Sequence, residues 1–156
     1  RIVAIEPDPD TFHKLVQNTK PYDQIIERYQ VALAPDDKEV EFFQNDINFT
    51  ASSTVNTYGT RITVKGWTFE HIIDYHRLTH IDVCKIDAEG AEGESLTLLQ
   101  LDYAKDIIDT YYIEFHNCPY TTWERKMGKA VENLSRCGYK KLNIGDKEGM
   151  ALTASK

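Results

Sequence analysis

The sequence lacks long apolar runs and basic segments, and it contains little cysteine. No stretch is long and apolar enough to cross a bilayer, so we expect no membrane partner. Lysine and arginine never cluster beyond a pair and the formal net charge is −7, so the surface repels phosphate backbones and we expect no nucleic-acid partner. The three cysteines, Cys84, Cys118 and Cys137, show no CxxC or zinc-type spacing, which is typical of a reducing compartment. These absences predict a cytoplasmic enzyme or binding domain.

The composition is that of a folded, globular chain. Hydrophobic residues make up 41% and charged residues 28% of the 156 residues, which is enough apolar material to bury a core. We find no internal repeat, low-complexity segment or linker. Residues 1–156 are therefore expected to form a single domain.

Predicted strands and helices alternate along the chain. Strands are indicated over residues 2–5, within 25–33, and over 40–42, 60–65, 81–86 and 107–115, with two more around a turn at 145–149. Helices are indicated after a capping Asp10 and over residues 67–75, 92–100 and 122–137, and residues 44–57 read as a polar loop. This order predicts an α/β fold with a doubly wound, mainly parallel sheet and a C-terminal antiparallel hairpin.

The apolar strands at residues 2–5 and 81–86 have the continuous character of strands covered on both faces. In open α/β sheets, ligands bind beyond the carboxyl ends of such strands, so the residues that follow them are site candidates. Glu6 follows the first strand, and its carboxylate is suited to accept hydrogen bonds from both hydroxyls of a ribose. The alternative is an acidic residue of the Glu-Pro-Asp-Pro turn, and position alone favours neither reading.

The run from Lys85 to Glu92 places four ionisable residues at the end of an apolar strand. Lys85 and Asp87 share one face of that strand, because side chains alternate with period two. Burying such groups is tolerated when they pair or serve a function, which makes Asp87 and Glu89 candidates for the reaction centre. The alternative is that Asp87 and Glu89 are solvated loop charges and Lys85 extends to solvent.

The next strand carries Glu114 and His116 on a common face. If the two strands are neighbours, Lys85 pairs with Glu114 and Asp87 approaches His116. We expect a buried or half-buried Lys85–Glu114 ion pair, the loss of either partner costing ~3–5 kcal/mol. His116 could accept a proton from a substrate hydroxyl, although the sequence alone slightly favours a structural histidine. These residues could also hold a metal, but no ligand spacing enforces one, and we expect none.

Three stretches resemble the FkbM-type methyltransferases. They are Ala4 to Pro9 with Phe12 and Leu15 behind it, Val31 to Ala34 followed by Ala51-Ser52-Ser53, and Lys85 to Glu92 followed by Ile113 to His116. The family pattern of the last pair is close to KIDVEGAE and then IEIH. The resemblance covers nearly the whole chain, and its stretches have the family's order and spacing.

The resemblance implies a class I methyltransferase fold with S-adenosylmethionine as methyl donor and a hydroxyl of a sugar, glycan or small metabolite as acceptor. It places Glu6 at the ribose, Ala32 and Leu33 beside the adenine, and Asp87 near the amino-acid end of the cofactor. Asp87 or His116 would then be the base that removes the hydroxyl proton, and Glu89 would position the acceptor. The oligomeric state is not predicted.

The family's first strand and glycine-rich loop are absent from this sequence. In the family, that strand lies between the strands of Glu6 and Asp87. We therefore expect such a segment to precede Arg1, and a slot of two strand spacings, ~9–10 Å, to separate the two strands. A less favoured alternative inserts residues 142–154 into the slot.

Two other functions remain open at this point. A nicotinamide-dependent oxidoreductase shares the acidic recognition of ribose at a strand end, but the KIDAEGAE turn and the C-terminal hairpin disfavour it. A catalytically inactive domain with a structural or assembly role would retain the fold without binding a cofactor. Cofactor binding distinguishes both from a methyltransferase.

Overall fold

The structure, a computed structural model, describes residues 1–44, 54, 59–117, 122–144 and 151–156. The strands are β1 (Ile2–Ile5), β2 (Ile26–Tyr29), β3 (Ala32–Leu33), β4 (Glu39–Gln44), β5 (Thr60–Trp67), β6 (Ile81–Asp87), β7 (Ile108–Glu114), β8 (Lys141–Ile144) and β9 (Ala151–Ser155). The helices are α1 (Pro9–Thr19), α2 (Phe69–Tyr75), α3 (Glu92–Ser95), α4 (Leu98–Ala104) and α5 (Trp123–Arg136), with a 3₁₀ turn at Lys20–Tyr22. Within the described residues, no helix has the length and apolar character that a bilayer crossing needs.

The described strands form three hydrogen-bonded sheets in a mixed α/β arrangement. Their orders are β1-β2, β3-β5-β4 and β6-β7-β9-β8. The pairs β1·β2, β3·β5 and β6·β7 are parallel, while β4·β5, β7·β9 and β8·β9 are antiparallel. The antiparallel pairing of β8 with β9 confirms the C-terminal hairpin, and because β9 pairs with β7, the alternative that inserts this segment beside β1 is wrong.

The main hydrophobic core lies around the four-stranded sheet. Ile108, Tyr111 and Ile113 of β7 are fully buried, and residues of α4 and α5, among them Leu101 and Leu134, belong to the same buried cluster. The stripe of α5 that faces this core has helical spacing, with Met127, Ala130 and Leu134 all buried. At about 25 cal/mol per Å² of buried apolar surface, this central strand is the principal source of hydrophobic stabilisation.

A smaller cluster holds β1 and β2 to the rest of the fold. Val31, Trp67 and Ile72 are buried there, and Val3, Ile5 and Tyr29 pack against them. Tyr29 meets Trp67 with ring centroids 5.0 Å apart. The N-terminal pair of strands is thus attached through few fully buried side chains.

Two sequence expectations about local structure are wrong in detail. Asp8, not Asp10, caps α1: its Oδ1 accepts from the backbone N–H groups of Asp10 and Thr11, both at 3.0 Å. The helix expected over residues 92–100 is instead two short helices, because Thr97 adopts an extended conformation and its hydroxyl caps α4 by accepting from the N–H of Gln100.

The strands predicted to be covered on both faces are in fact partly open. Ile2 of β1 is 50% exposed and Val83 of β6 is 62% exposed. In the described part of the chain, β1 and β6 are not hydrogen-bonded to each other, as expected for strands separated by a slot, and β6 pairs on one side only. Most of the predicted loop over residues 44–57, the predicted turn over 145–149 and Cys118 lie outside the described residues.

Candidate functional site

A large cavity lies between β1 and β6. Its volume is about 950 Å³, and its lining runs along both strands, so much of it is the slot expected between them; the position for a ligand is the end beyond Glu6 and Asp87. The lining includes most of both strands and the residues that follow them, Glu6 and Asp87. The carboxyl ends of β1 and β6 therefore open into one space, as the position of ligands in α/β folds requires.

Glu6 lies at the β1 side of this cavity and is half-buried. Its Oε1 accepts a hydrogen bond from the N–H of Asp8 at 2.8 Å, which fixes the carboxylate at the turn. Its Oε2 makes no hydrogen bond to the described residues. Burial raises the pKa of Glu6, and the hydrogen bond from the Asp8 N–H offsets this only in part. Keeping Glu6 ionised in the folded protein therefore reduces stability.

Ala32 and Leu33 form the short strand β3 and line the same cavity. Ala32 is buried and Leu33 half-buried, and both are held by parallel pairing with Gly66 and Trp67 of β5. Gly66 is required for this approach, since a Cβ there would lie 2.7 Å from the Lys38 carbonyl oxygen. The two residues offer an apolar wall suited to a flat ring.

Asp87 ends β6 opposite Glu114, which ends β7. Lys85 lies between their carboxylates, with its Nζ 3.1 Å from Asp87 Oδ2 and 3.1 Å from Glu114 Oε1. The predicted Lys85–Glu114 pair is thus formed, but the Lys85 side chain is 55% exposed. The expected cost of ~3–5 kcal/mol for losing a partner applies to buried pairs and does not hold for this one.

His116 lies just beyond β7 and contacts three carboxylates. Its Nδ1 is 2.9 Å from Oε1 of Glu92, and its Nε2 is 3.8 Å from Asp87 Oδ1 and 3.9 Å from Glu89 Oε2. The hydrogen bond with Glu92 raises the pKa of His116, burial opposes this, and the neighbouring carboxylates add to it. The predicted approach of Asp87 to His116 is confirmed.

Glu89 reaches this group from a strained turn. Its φ is +47°, a left-handed conformation that is rare for residues with a Cβ, and Gly90 follows with φ +112°. Burial is the largest influence on the Glu89 carboxyl and raises its pKa, although His116 counteracts it. The turn thus brings a second carboxylate to the side of Asp87 and His116.

Glu92 and Lys126 are buried residues that hold His116 and the turn at Glu89 and Gly90 in place through hydrogen bonds. Glu92 is fully buried, and the pKa of its carboxyl is lowered despite burial, because His116 and backbone N–H groups hydrogen-bond to it. The buried Lys126 of α5 donates to the carbonyls of Gly90 and His116, each at 2.6 Å, and lies 3.4 Å from Glu92 Oε2. Lys126 therefore ties the Glu89 turn to the His116 segment.

Roles for Glu92 and Lys126 were not predicted from the sequence. Glu92 stood inside the charged run but lacked a recognisable partner. The signal for Lys126 was its position, since it shares a helical stripe with Ala130 and Leu134, where an apolar residue is normal. A lysine in a core stripe requires a buried partner, and here the partners come from residues 90, 92 and 116.

The residues around the cavity fit an adenosine-type cofactor. Glu6 provides a carboxylate for a diol, and Ala32 and Leu33 provide the apolar wall. Thr11 also lines the cavity, but its hydroxyl oxygen is buried and has no hydrogen-bond partner among the described residues. These residues could hold the nucleoside portion of such a cofactor.

Comparison with known proteins gives one family and one relative. The Methyltransferase FkbM domain matches residues 1–141. The hexuronic acid methyltransferase AglP of Haloferax volcanii is 26% identical over 95 residues, which are 61% of this chain and 39% of that protein, so the chain spans well under half of its relative. No solved structure matches the chain. The family model covers residues 1–141, and Glu6 and Asp87 line one cavity, so the chain belongs to the FkbM methyltransferase domain family.

Proposed function

We propose that this chain is an S-adenosylmethionine-dependent O-methyltransferase whose acceptor is a hydroxyl of a sugar, glycan or small metabolite. The observation that carries the proposal is the cavity that Glu6 and Asp87 share across β1 and β6. The family is one of methyltransferases, and the relative AglP is named for a hexuronic acid, a sugar acid with free hydroxyls. The proposed architecture is the doubly wound class I fold, of which the three sheets form parts.

The cofactor supplies an activated methyl group on a sulfonium. In the proposed reaction the methyl carbon–sulfur bond breaks, a bond from carbon to the acceptor oxygen forms, and the hydroxyl proton leaves. Glu6 holds the ribose and Ala32 and Leu33 border the adenine, while Asp87 or His116 takes the proton and Glu89 orients the acceptor. Alignment of this kind supplies up to ~7–11 kcal/mol in favourable intramolecular cases, and a base contributes ~10²–10⁴-fold.

Calorimetric titration with S-adenosylmethionine in buffer containing a chelator tests the proposal. Glu6→Gln keeps the oxygen that accepts from Asp8 but replaces the second acceptor by an amide, so we expect affinity to fall by about 10- to 100-fold. Glu41→Gln is the matched control, because Glu41 is an exposed strand carboxylate paired with Arg61, and its affinity should equal that of the wild type. No heat of binding in the wild type, or equal affinity in Glu6→Gln, would contradict the assignment.

A further inference from the structure

The carboxylates of Asp87 and Glu89 converge on Nε2 of His116. One ligand atom from each residue lies within 4.8 Å of the other two. The two distances from Nε2, 3.8 and 3.9 Å, are too long for hydrogen bonds. They are shorter than ~4.2 Å, the limit for two atoms that share one metal at about 2.1 Å from each.

The surroundings of His116 determine which ring nitrogen faces the carboxylates. Glu92 Oε1 accepts from the N–H of Gly90 at 2.9 Å, and Oε2 lies 3.4 Å from the Lys126 ammonium, so this carboxylate acts as an acceptor throughout. His116 Nδ1 must therefore be the donor in the bond to Glu92. In the neutral ring, the lone pair is on Nε2, next to Asp87 and Glu89.

This arrangement is the one that metal-binding histidines use. A ligating imidazole normally donates its second N–H to a carboxylate, which fixes the tautomer and the ring orientation. Here that carboxylate is fully buried and is itself held by Lys126. A histidine that only paired with surface carboxylates would not require a buried carboxylate to fix the orientation of its ring.

Lys85 orients the Asp87 carboxylate so that one of its oxygens lies towards His116. Its ammonium contacts Oδ2 at 3.1 Å, while Oδ1 is the oxygen nearer to His116. The ammonium also offsets part of the negative charge, which the three carboxylates of Asp87, Glu89 and Glu114 would otherwise concentrate. One oxygen of Asp87 is thereby left for a further ligand.

We propose that Asp87, Glu89 and His116 form a divalent-cation site, with two oxygen ligands and one imidazole nitrogen, best suited to Mn²⁺. Carboxylates favour Mg²⁺ and Mn²⁺, and a nitrogen ligand favours Mn²⁺ of the two. Because Asp87 and Glu89 line the cavity, the remaining coordination positions open towards a substrate. An acceptor with two neighbouring oxygens, such as a vicinal diol or a hydroxy acid, matches those positions. With the cation bound, Asp87 and His116 serve as ligands and neither is the base, so the cation would instead acidify the acceptor hydroxyl. This role in methyl transfer rests on the proposed function, whereas the binding of the cation does not.

Titration of the whole chain with Mn²⁺ alone, followed by calorimetry and electron paramagnetic resonance, tests the site. We expect one Mn²⁺ per chain, with a ¹⁴N coupling from the imidazole. Asp87→Asn should weaken binding at least tenfold, and His116→Ala should remove the ¹⁴N coupling. His80→Ala is the matched control, because His80 also lies near two carboxylates, at 3.4 Å from Asp82 and 3.6 Å from Asp109, and it should bind Mn²⁺ like the wild type.

Three outcomes would contradict the proposed cation site. Absence of binding at roughly millimolar Mn²⁺, the weak end of protein cation sites, overturns the proposal, as does unchanged binding in both Asp87→Asn and His116→Ala. A ¹⁴N coupling that disappears only in His80→Ala would assign the cation elsewhere. Since the S-adenosylmethionine titration is made with a chelator present, cofactor binding without Mn²⁺ binding leaves the methyltransferase proposal standing and removes this one.

Discussion

Glu6 is a carboxylate that the fold retains at a cost to stability. Its pKa in the folded protein is raised by burial, so the folded state binds this proton more tightly than the unfolded state does. Stability is therefore lost as pH rises from the unfolded pKa, about 4.5, through the folded pKa, and the penalty is fully present above it. The proposed contact with a ribose explains why such a residue is kept.

Glu6→Gln should consequently be more stable than the wild type at pH 7 and nearly equal to it at pH 4. The amide keeps the acceptor for the Asp8 N–H and removes the charge that burial disfavours. Urea unfolding at the two pH values measures the difference in free energy of unfolding between the two proteins. The contributions of the other titrating groups largely cancel in this difference. A difference that is constant with pH would show that Glu6 carries no burial penalty.

Lys126 is expected to be one of the most sensitive residues outside the cavity. Lys126→Met fills a similar volume but leaves Glu92 and the carbonyls of Gly90 and His116 without their buried donor. We expect a loss of ~3–5 kcal/mol in the free energy of unfolding, as for other broken buried pairs. Lys129→Met, three residues along and exposed, should change it by no more than about 0.5 kcal/mol. Equal effects of the two substitutions would contradict the role of Lys126.

The candidate site was partly predictable at this scale. On the assumption that the two strands are neighbours, strand phase placed Asp87 near His116 and Lys85 near Glu114, and the parallel pairing of β6 with β7 supplies that assumption. The Glu92–Lys126 support was not predictable, since it depends on how α5 docks against the turn after β6. Such a contact is set by long-range packing and leaves only a weak local signal, a lysine in an apolar stripe.

Among the elements, α1 shows how a helix start is chosen. Both Asp8 and Asp10 are residue types that cap helices, and the sequence favoured Asp10. Pro9 at the first helical position, with its fixed φ, moves the cap one residue before it to Asp8. The strands and helices themselves were largely predicted, and the errors lie at caps and at Thr97, where one side-chain hydrogen bond decides.

Asp8→Ala should cost ~0.5–2 kcal/mol, because two N–H groups of α1 lose their acceptor. Asp8→Asn keeps the capping oxygen and removes a buried charge, so its cost should be smaller. Asp10→Ala is the control and should change the free energy of unfolding by less than about 0.5 kcal/mol. Chemical denaturation gives the free energy of unfolding of all three variants. A larger loss in Asp10→Ala than in Asp8→Ala would show that Asp10 is the capping residue, as the sequence suggested.

The pairing of β6 with β7 does not depend strongly on Lys85 and Glu114. Their ion pair is largely exposed and Lys85 is shared with Asp87, so solvent screens the attraction. A double-mutant cycle with Lys85→Met and Glu114→Gln should give a coupling of ~0.2–1 kcal/mol, reduced by added salt. A coupling of several kcal/mol would mean that the pair is effectively buried in solution.

For the whole molecule, the distribution of buried residues predicts uneven stability. The main core surrounds β7, whereas β1 and β2 are held by a small cluster around Trp67. Native-state hydrogen exchange should therefore be slowest at Tyr111 and Ile113 and much faster along β1, because β1 and β2 can detach without disrupting the core. Uniform protection of β1 and β7 would indicate a single cooperative unit.

The unpaired edge of β6 has a consequence for how this chain behaves at high concentration. Among the described strands, none pairs with that edge, so in a molecule where no further strand covers it, its N–H and C=O groups are a template for strand addition between molecules. The side chains of Asp82, Lys85 and Asp87 place alternating charges along it, and charged edges are a common protection against such pairing. Neutralising them would convert a solubility feature into an aggregation hazard, so the protein should be stored at low ionic strength, where these charges are least screened.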